Sequence, residues 1–501
     1  MAKIPVLTLT LLFPIIGAIL IMVLPRERVK EIKYTAAAAT LPSLLLSLFI
    51  FITYDRKAGG MQFVERINWT PDLGVSYALG VDGISITMLL LTTLIGFSAV
   101  FASFRVNEQA KEFFSLLLLL ISGVMGTFIT TDLFIFFLFY EVVVIPIYIL
   151  VIMWGSSKRV TKEYAGMKLT IYLLIGSAFL LLGIISLYVK SYLLTGKPST
   201  DLMYLATLDY DVGFQIFVFA LMTIGFGTLL SMFPFYSWSP DGYAGAPTAV
   251  SMIHAGVLKK IGGYGLIRIG LYLLPAGAQV IAPVIAILAI GNVLYAAFIC
   301  ISQKDLKYIV GYSSVSHMGY VLIGIAALNL ISINGAVMMM FGHGVMAALF
   351  FALIGNLYEK SHTRNIDDFG GLAHQMPRLA TGFMIAGLAS LGLPGMVNFI
   401  GEFTIFVGAF SQYKVITVLA VSGVIFTALY ILRALGTMLF GPRQEKWDGL
   451  TDLKGVEMVP LVVLGTAIIL GGILPFGLMD IINQGTLELL AQAKLLTIGG
   501  I

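Results

Sequence analysis

The sequence predicts an all-α polytopic membrane protein of about fourteen transmembrane helices, and three observations carry that prediction. Of 501 residues, 59% are hydrophobic and only 11% charged, against about 25% charged in soluble domains. Fourteen runs reach or approach the ~20 apolar residues that cross ~30 Å of hydrocarbon. Finally, Glu141 sits ten residues into an otherwise uncharged apolar run from Asp132 to Gly155. A charge at that depth costs roughly 2.5–3.5 kcal/mol on insertion scales, and chains keep such groups where something has to bind or pass.

In order, the expected spans are 4–24, 34–53, 82–103, 113–130, 132–154, 166–189, 214–236, 247–273, 278–301, 308–328, 330–357, 379–408, 413–440 and 456–478. Short turns at Thr130-Thr131-Asp132 and at Asn329 separate the fourth from the fifth span and the tenth from the eleventh. The first span has no basic leading region and no small-residue cleavage site, so it reads as a retained helix. Cys300 is the only cysteine. That excludes an internal disulfide, a Cys-based iron–sulfur cluster and a Cys-rich zinc site. A formal charge of +4 gives no reason to invoke nucleic acid.

Lysine and arginine gather after the odd-numbered spans: Arg26, Arg28, Lys30 and Lys33, then Arg105 and Lys111, then Lys158, Arg159 and Lys162. Lys304 and Lys307 follow the ninth span, Lys360, Arg364 and Arg378 the eleventh, and Arg443, Lys446 and Lys454 the thirteenth. The even loops hold fewer, chiefly Arg56, Lys57, Arg66, Lys190 and Lys197. The positive-inside rule then places the odd loops in the cytoplasm and both termini on the outer side of the membrane.

Two spans are expected to be broken. The seventh ends in Phe233-Pro234-Phe235-Tyr236-Ser237-Trp238-Ser239-Pro240-Asp241, and the twelfth contains Leu391-Gly392-Leu393-Pro394-Gly395. Proline removes a backbone donor and clashes with the preceding turn. The breaks lie five spans apart, so spans 4–8 and 9–13 read as two five-helix repeats, inverted because each holds an odd number of spans. Paired interrupted helices point to a transport site near the midplane. The chain divides accordingly into helices 1–3 over residues 1–110, a first repeat over 111–274, a second over 275–440, and a fourteenth helix with a tail over 441–501.

Several ionisable groups lie within these spans. Glu141 has no charged neighbour on its own helix and reads as a proton-binding site. Lys259 and Lys260 adjoin on the eighth span and, pointing about 100° apart, cannot both face one narrow path. One is expected to face the interior while the other pairs or snorkels. His317, in Tyr312-Ser313-Ser314-Val315-Ser316-His317-Met318-Gly319, and His343, in Phe341-Gly342-His343-Gly344, suit a relay, because imidazole both accepts and donates. Either could equally be a histidine held by Ser313 or a backbone carbonyl. Glu402 is a second carboxylate beside a break, or else an N-terminal helix carboxylate favoured by the dipole. Asp82 and Asp132 read first as helix caps, and snorkelling alone could explain Lys168. No Walker loop, His-rich metal cluster, nucleophilic triad or haem site is present, so no metal, cofactor or redox centre is expected in this chain.

Taken together, these stretches resemble the antiporter-like M (chain 4) subunits of proton-pumping NADH:quinone oxidoreductase, respiratory complex I, and their photosynthetic and hydrogenase relatives. The matching segments are Leu79-Gly80-Val81-Asp82-Gly83-Ile84-Ser85, Tyr140-Glu141, Trp238-Ser239-Pro240-Asp241, Ala246-Pro247-Thr248-Ala249, Asp305-Leu306-Lys307, the His317 stretch, His362-Thr363-Arg364, Gly370-Gly371-Leu372-Ala373 and Gly401-Glu402-Phe403. The resemblance implies a proton half-path in each inverted repeat, with Glu141, Lys260, His317, His343 and Glu402 carrying the protons. It also implies L-type and N-type antiporter-like neighbours, and a peripheral redox arm whose subunits hold FMN, iron–sulfur clusters and quinone. Electron transfer would then occur in other subunits. A subunit of a multi-subunit sodium/proton antiporter, or a non-pumping scaffold, are the alternatives.

One departure from the family matters. The family carries a lysine on the seventh helix, five residues before the proline matching Pro234, to pair with the fifth-helix glutamate. Here that position is Leu229, and the family histidine two residues after that proline is Tyr236. His254 and Lys259, both unusual on the eighth helix, are the groups expected to compensate by partnering Glu141, with Lys168 a further candidate.

Overall fold

The computed structural model describes residues 4–156 and 159–495; Lys158, one of the basic loop residues counted above, lies outside them. The chain opens with α1 (Val6–Val23) and α2 (Val29–Thr53), followed by a β-hairpin of β1 (Gln62–Thr70) and β2 (Val75–Val81). Then come α3 (Gly83–Ala102), α4 (Ala110–Ile129), α5 (Leu133–Trp154), α6 (Lys162–Thr195), the single turn α7 (Leu202–Leu205), α8 (Val212–Leu230) and α9 (Trp238–Gly245). The eighth span is α10 (Thr248–Ile253), a π-helical turn (His254–Leu258), α11 (Lys259–Gly265) and a second π segment (Leu266–Leu271). The ninth is α12 (Pro275–Ile290), a π turn (Gly291–Tyr295) and α13 (Ala296–Ser302). The remainder are α14 (Leu306–Ala326), α15 (Leu330–Ser361), α16 (Leu372–Gln375), α17 (Pro377–Ser390), α18 (Val397–Gln412), α19 (Lys414–Leu439), α20 (Met458–Ile473) and α21 (Phe476–Gln492).

Side-chain carboxylates and amides start these helices where the sequence places them. Asp82 accepts from Ile84 and Ser85 N–H, Asp132 from Phe134 and Ile135, and Asn329 from Ser332. Each satisfies donors that a helix start otherwise leaves unpaired. The expected cap roles of Asp82 and Asp132 are therefore observed.

Among the described residues, twelve helices are long and apolar enough to cross a membrane. The two expected spans outside that set, 247–273 and 379–408, are helical but interrupted, the first by π segments and the second at 391–396. An all-helical chain was expected, but the β1–β2 hairpin, antiparallel with Gln62 opposite Val81 and Thr70 opposite Val75, departs from it. It also closes the start of α1, because Glu65 on β1 accepts from Leu7 N–H (2.8 Å) and Thr8 N–H (3.0 Å). The tail after the fourteenth span forms α21.

Burial sorts the helices into a centre and a rim. All of the most apolar stretch of α15 and 94% of that of α14 are buried, against a third for α1, α2, α19 and α20. Rim helices with exposed leucine and isoleucine are what a lipid-facing surface requires. The ionisable residues of the central helices therefore lie inside protein.

Candidate functional site

Both broken spans form as expected, and each break supplies polar atoms to the interior. α8 ends at Ser231 in a left-handed conformation (φ +63°). Irregular backbone is tolerated at membrane depth only where neighbours satisfy it, and Asn292 on the π turn of the ninth span does so. Its side chain donates to Ser231 O (2.7 Å) and accepts from Phe233 N–H (2.6 Å). Trp238 Nε1 donates to Thr228 O (3.1 Å), tying α9 back to α8. In the twelfth span, α17 stops at Ser390, and Gly392 adopts φ +65°. There the Ser390 carbonyl faces His317 Nε2 at 3.1 Å.

Four of the expected site residues come together in one line. Lys260 Nζ lies 2.8 Å from His343 Nδ1 and donates to the Ala255 carbonyl. The His343 and His317 rings are 5.5 Å apart between centroids. His317 Nε2 is 3.7 Å from Glu402 Oε1. All four side chains are buried. The close meeting of the eighth span and α15 rests on two glycines: a Cβ on Gly344 would sit 2.6 Å from the Gly256 carbonyl, and one on Gly256 would sit 3.3 Å from that of Gly344. Any larger residue would push His343 away from Lys260.

The chemistry follows from the donor inventory. An ammonium has no acceptor, so contact with His343 Nδ1 requires one proton between the two groups, carried on either. His317 Nδ1 faces the Ser313 carbonyl (2.7 Å), and its Nε2 faces Ser390 O. The carbonyl-bound reading of His317 is therefore observed, with the ring standing between His343 and Glu402. Glu402 sits in the second turn of α18, beyond the first-turn positions that a helix dipole favours. Its carboxylate packs where a side chain on Gly392 would stand.

Other expectations need correction. Lys259 and Lys260 are both fully buried, so neither snorkels. Lys260 faces His343, while Lys259 Nζ donates to Ser314 Oγ (3.4 Å) and lies 5.0 Å from the Tyr243 ring centroid. Lys168 does not reach for the interface either; it pairs with Asp241 on α9 at 2.7 Å, and Tyr308 donates to the same carboxylate (2.9 Å). Glu141 is half-buried rather than buried. It lies on the stripe of α5 that also presents Leu138 and Ile145, which are 38% and 64% exposed, because residues three and four apart share a helix face. Among the described residues Glu141 makes no ion pair within 4 Å, so neither His254, Lys259 nor Lys168 partners it in this structure. A run of apolar residues shows depth along a helix but not which face looks outward.

Two polar groups were missed. Arg268, in Leu266-Ile267-Arg268-Ile269, is buried and pairs with Asp82 at 3.0 Å. The same argument from a charge in an apolar run that singled out Glu141 would have found it. Asn398 lies at the start of α18 with both side-chain polar atoms unpartnered; no spacing marks it.

The transmembrane domain model described as NADH:quinone oxidoreductase/Mrp antiporter matches residues 130–427. The chain is 39% identical over 444 residues to NAD(P)H-quinone oxidoreductase chain 4 3 of Picosynechococcus sp., covering 87% of this chain and 80% of that protein. It is 34% identical over 502 residues to NADH-quinone oxidoreductase subunit M of Rickettsia conorii, covering 98% and 100%. Its fold superposes on a chain of respiratory complex I from Thermus thermophilus with a TM-score of 0.87 and 28% identity, over 99% of this chain and all of that one. A chain of the Mrp complex from Dietzia sp. shares the fold, with a TM-score of 0.85 at 20% identity over the full length of both. Sequence, family model and fold agree: the chain belongs to the NADH:quinone oxidoreductase/Mrp antiporter transmembrane family.

Proposed function

We propose that this chain is a proton-translocating membrane-arm subunit of a complex I-type quinone oxidoreductase, driven by redox chemistry in other subunits. The observation that carries the reading is the buried line Lys260–His343–His317–Glu402, in which a lysine, two imidazoles and a carboxylate follow one another across four packed spans. Buried ionisable groups are expensive in a membrane and mark ion paths. Imidazoles exchange protons through either ring nitrogen. The twelfth-span break places Glu402 at the far end of the line, where a proton can leave.

The rest of the reading follows the family. The chain would carry fourteen spans with two inverted repeats, spans 4–8 and 9–13, and both termini on the outer side. FMN, iron–sulfur clusters and quinone belong to partner subunits. Glu141 supports a neighbour directly. A carboxylate on a lipid-facing stripe would cost several kcal/mol, so another membrane-arm subunit of the L or N type is expected to cover that face. The second reading, a subunit of a multi-subunit sodium/proton antiporter, draws on the shared fold of the Mrp complex chain.

Isolation of the native complex decides between them. Co-purification with flavin- and iron–sulfur-containing subunits, and proton uptake driven by donor oxidation in proteoliposomes without sodium, is the expected result. A complex free of redox subunits that exchanges sodium for protons would overturn the proposal.

A further inference from the structure

The eighth span carries more buried base than the Lys260 line uses. His254 is fully buried, yet among the described residues neither ring nitrogen has a hydrogen-bond partner. Its ring stacks on Trp238 at 5.0 Å and meets the Tyr243 ring edge-on at 4.6 Å. Lys259 Nζ approaches the same Tyr243 ring at 5.0 Å, so one aromatic ring spans both groups. The π-helical turn His254–Leu258 explains why they share it. An i→i+5 hydrogen-bond pattern widens the helix, so that residues five apart align more closely than they would on an α-helix. The buried hydroxyl of Tyr243 on α9 interacts with Ser239 of its own helix and with Ser314 of α14, and Ser314 also accepts from Lys259. Unpartnered buried polar atoms are rare in native proteins and mark places that hold water or exchange protons. Here both ring nitrogens of His254 are such atoms, close to a second base, Lys259.

The cluster also lies beneath an opening. A cavity of about 420 Å³ runs in from exposed Arg105 and Glu108 to Ala246, Pro247 and Thr248, where Lys307 donates to the Ala246 carbonyl (2.6 Å). Thr248 begins α10, and His254 follows it by six residues, about 9 Å along the helix. Ser251, between them, donates to the Tyr243 carbonyl (3.0 Å).

We propose that His254, Tyr243 and Lys259 form a proton-loading station that takes protons from this cavity and feeds the Lys260–His343 pair. The inference rests on the proton-translocating reading above and adds its inlet. In each transfer one ring nitrogen of His254 takes a proton while the other releases one toward Lys259; the imidazole ends as its other tautomer, and a flip of the ring resets it, so nothing is consumed. A proton arriving on Lys259 repels the one on adjacent Lys260, which moves to His343 Nδ1; like charges in a low-dielectric interior interact far more strongly than in water. The station does what a seventh-helix lysine cannot do here, since that position is Leu229.

The titratable neighbours of His254 are few. The π turn packs against α3, which contributes none, and against α15, which contributes His343. α9 contributes Tyr243 and also Asp241, which is held by Lys168 and Tyr308. Lys259 and Lys260 lie on its own helix.

The test is His254→Phe in the native complex, reconstituted in proteoliposomes. Phenylalanine keeps the aromatic stack and, because His254 makes no protein hydrogen bond, loses none. This subunit's share of donor-driven proton uptake is expected to fall roughly a hundredfold, the low end for loss of a positioned proton donor. The deficit should widen from about pH 6 to about pH 8, where protons are scarcer and an imidazole relay matters most. His254→Gln, polar but unable to carry a proton, is expected to behave alike and serves if the phenylalanine variant does not assemble. Unchanged uptake across that pH range overturns the proposal, and so does an equal loss at every pH, which would indicate packing alone. Lys260→Met is the control: if it too leaves uptake intact, the failure lies with the proton-translocating reading and not with the inlet.

Discussion

The Asp82–Arg268 pair offers a stability test whose size can be worked from the structure. Asp82 Oδ1 accepts from Ile84 N–H (3.1 Å) and Ser85 N–H (2.9 Å), while Oδ2 accepts from Arg268 Nη1 (3.0 Å). Both side chains are about 5% exposed. Asp82→Asn keeps the cap, since asparagine and aspartate cap helices about equally, but turns an N–H donor toward the guanidinium. Breaking one side of a buried ion pair costs about 3–5 kcal/mol, or roughly two to three and a half decades in the folding equilibrium. Arg268→Met instead leaves Asp82 with its two backbone donors, and loses one hydrogen bond to a charged group, about 1.5–3 kcal/mol. The double variant leaves neither charge exposed to an apolar interior and should return to within about 1 kcal/mol of the parent. Thermal midpoints of the purified complex would show the ordering: Asp82→Asn lowest, Arg268→Met next, the double variant near the parent. A double variant as unstable as the two single losses added together would refute the reasoning, because it would mean that the two charges do not depend on each other.

Three further expectations follow from the same geometry. Gly392→Ala should displace the Glu402 carboxylate, which occupies the space a Cβ needs, and cut proton uptake sharply; Gly395→Ala, also at positive φ but with nothing within 4 Å of its Cβ, should cost about 1 kcal/mol of backbone strain with uptake retained, as proteoliposome assays would report. Lys168→Met should leave Asp241 with only the Tyr308 hydroxyl among the described residues, and loosen the packing of α6 on α9. Restoring neutrality with Lys168→Met/Asp241→Asn should recover complex yield, measured by quantitative purification. Glu141→Gln should preserve the Lys260–Glu402 line but weaken association with the neighbouring membrane subunit, read as subunit loss during detergent extraction.

Much of this arrangement was legible in the residues, and the exceptions have physical causes. Length and apolarity located the spans, and Pro234 and Pro394 located both breaks, because a missing donor acts locally. Lys260, His343, His317 and Glu402 were each visible as costly groups in apolar runs. That they form one line was not visible, since it depends on the Gly256–Gly344 contact between helices far apart in sequence. Facing was also hidden: adjacency of Lys259 and Lys260 suggested that one pairs or snorkels, and a π turn and the packed neighbours α9, α14 and α15 bury both. The hairpin is weakly marked in the sequence, because only Arg66–Thr70 alternates cleanly in β1 as strands do, and the register shift between Gln62 and Glu65 breaks the pattern before it. The Lys168–Asp241 pair joins two spans through a break, and no spacing rule reaches across such a gap.

The most direct measurement for the account as a whole is the number of protons translocated per electron pair by the native complex carrying Lys260→Met, compared with the parent in the same vesicles. If Lys260 is the centre of the path, the ratio falls by this subunit's share while the complex keeps its full set of subunits. An unchanged ratio in a fully assembled complex would contradict the claim that protons cross the membrane through this chain.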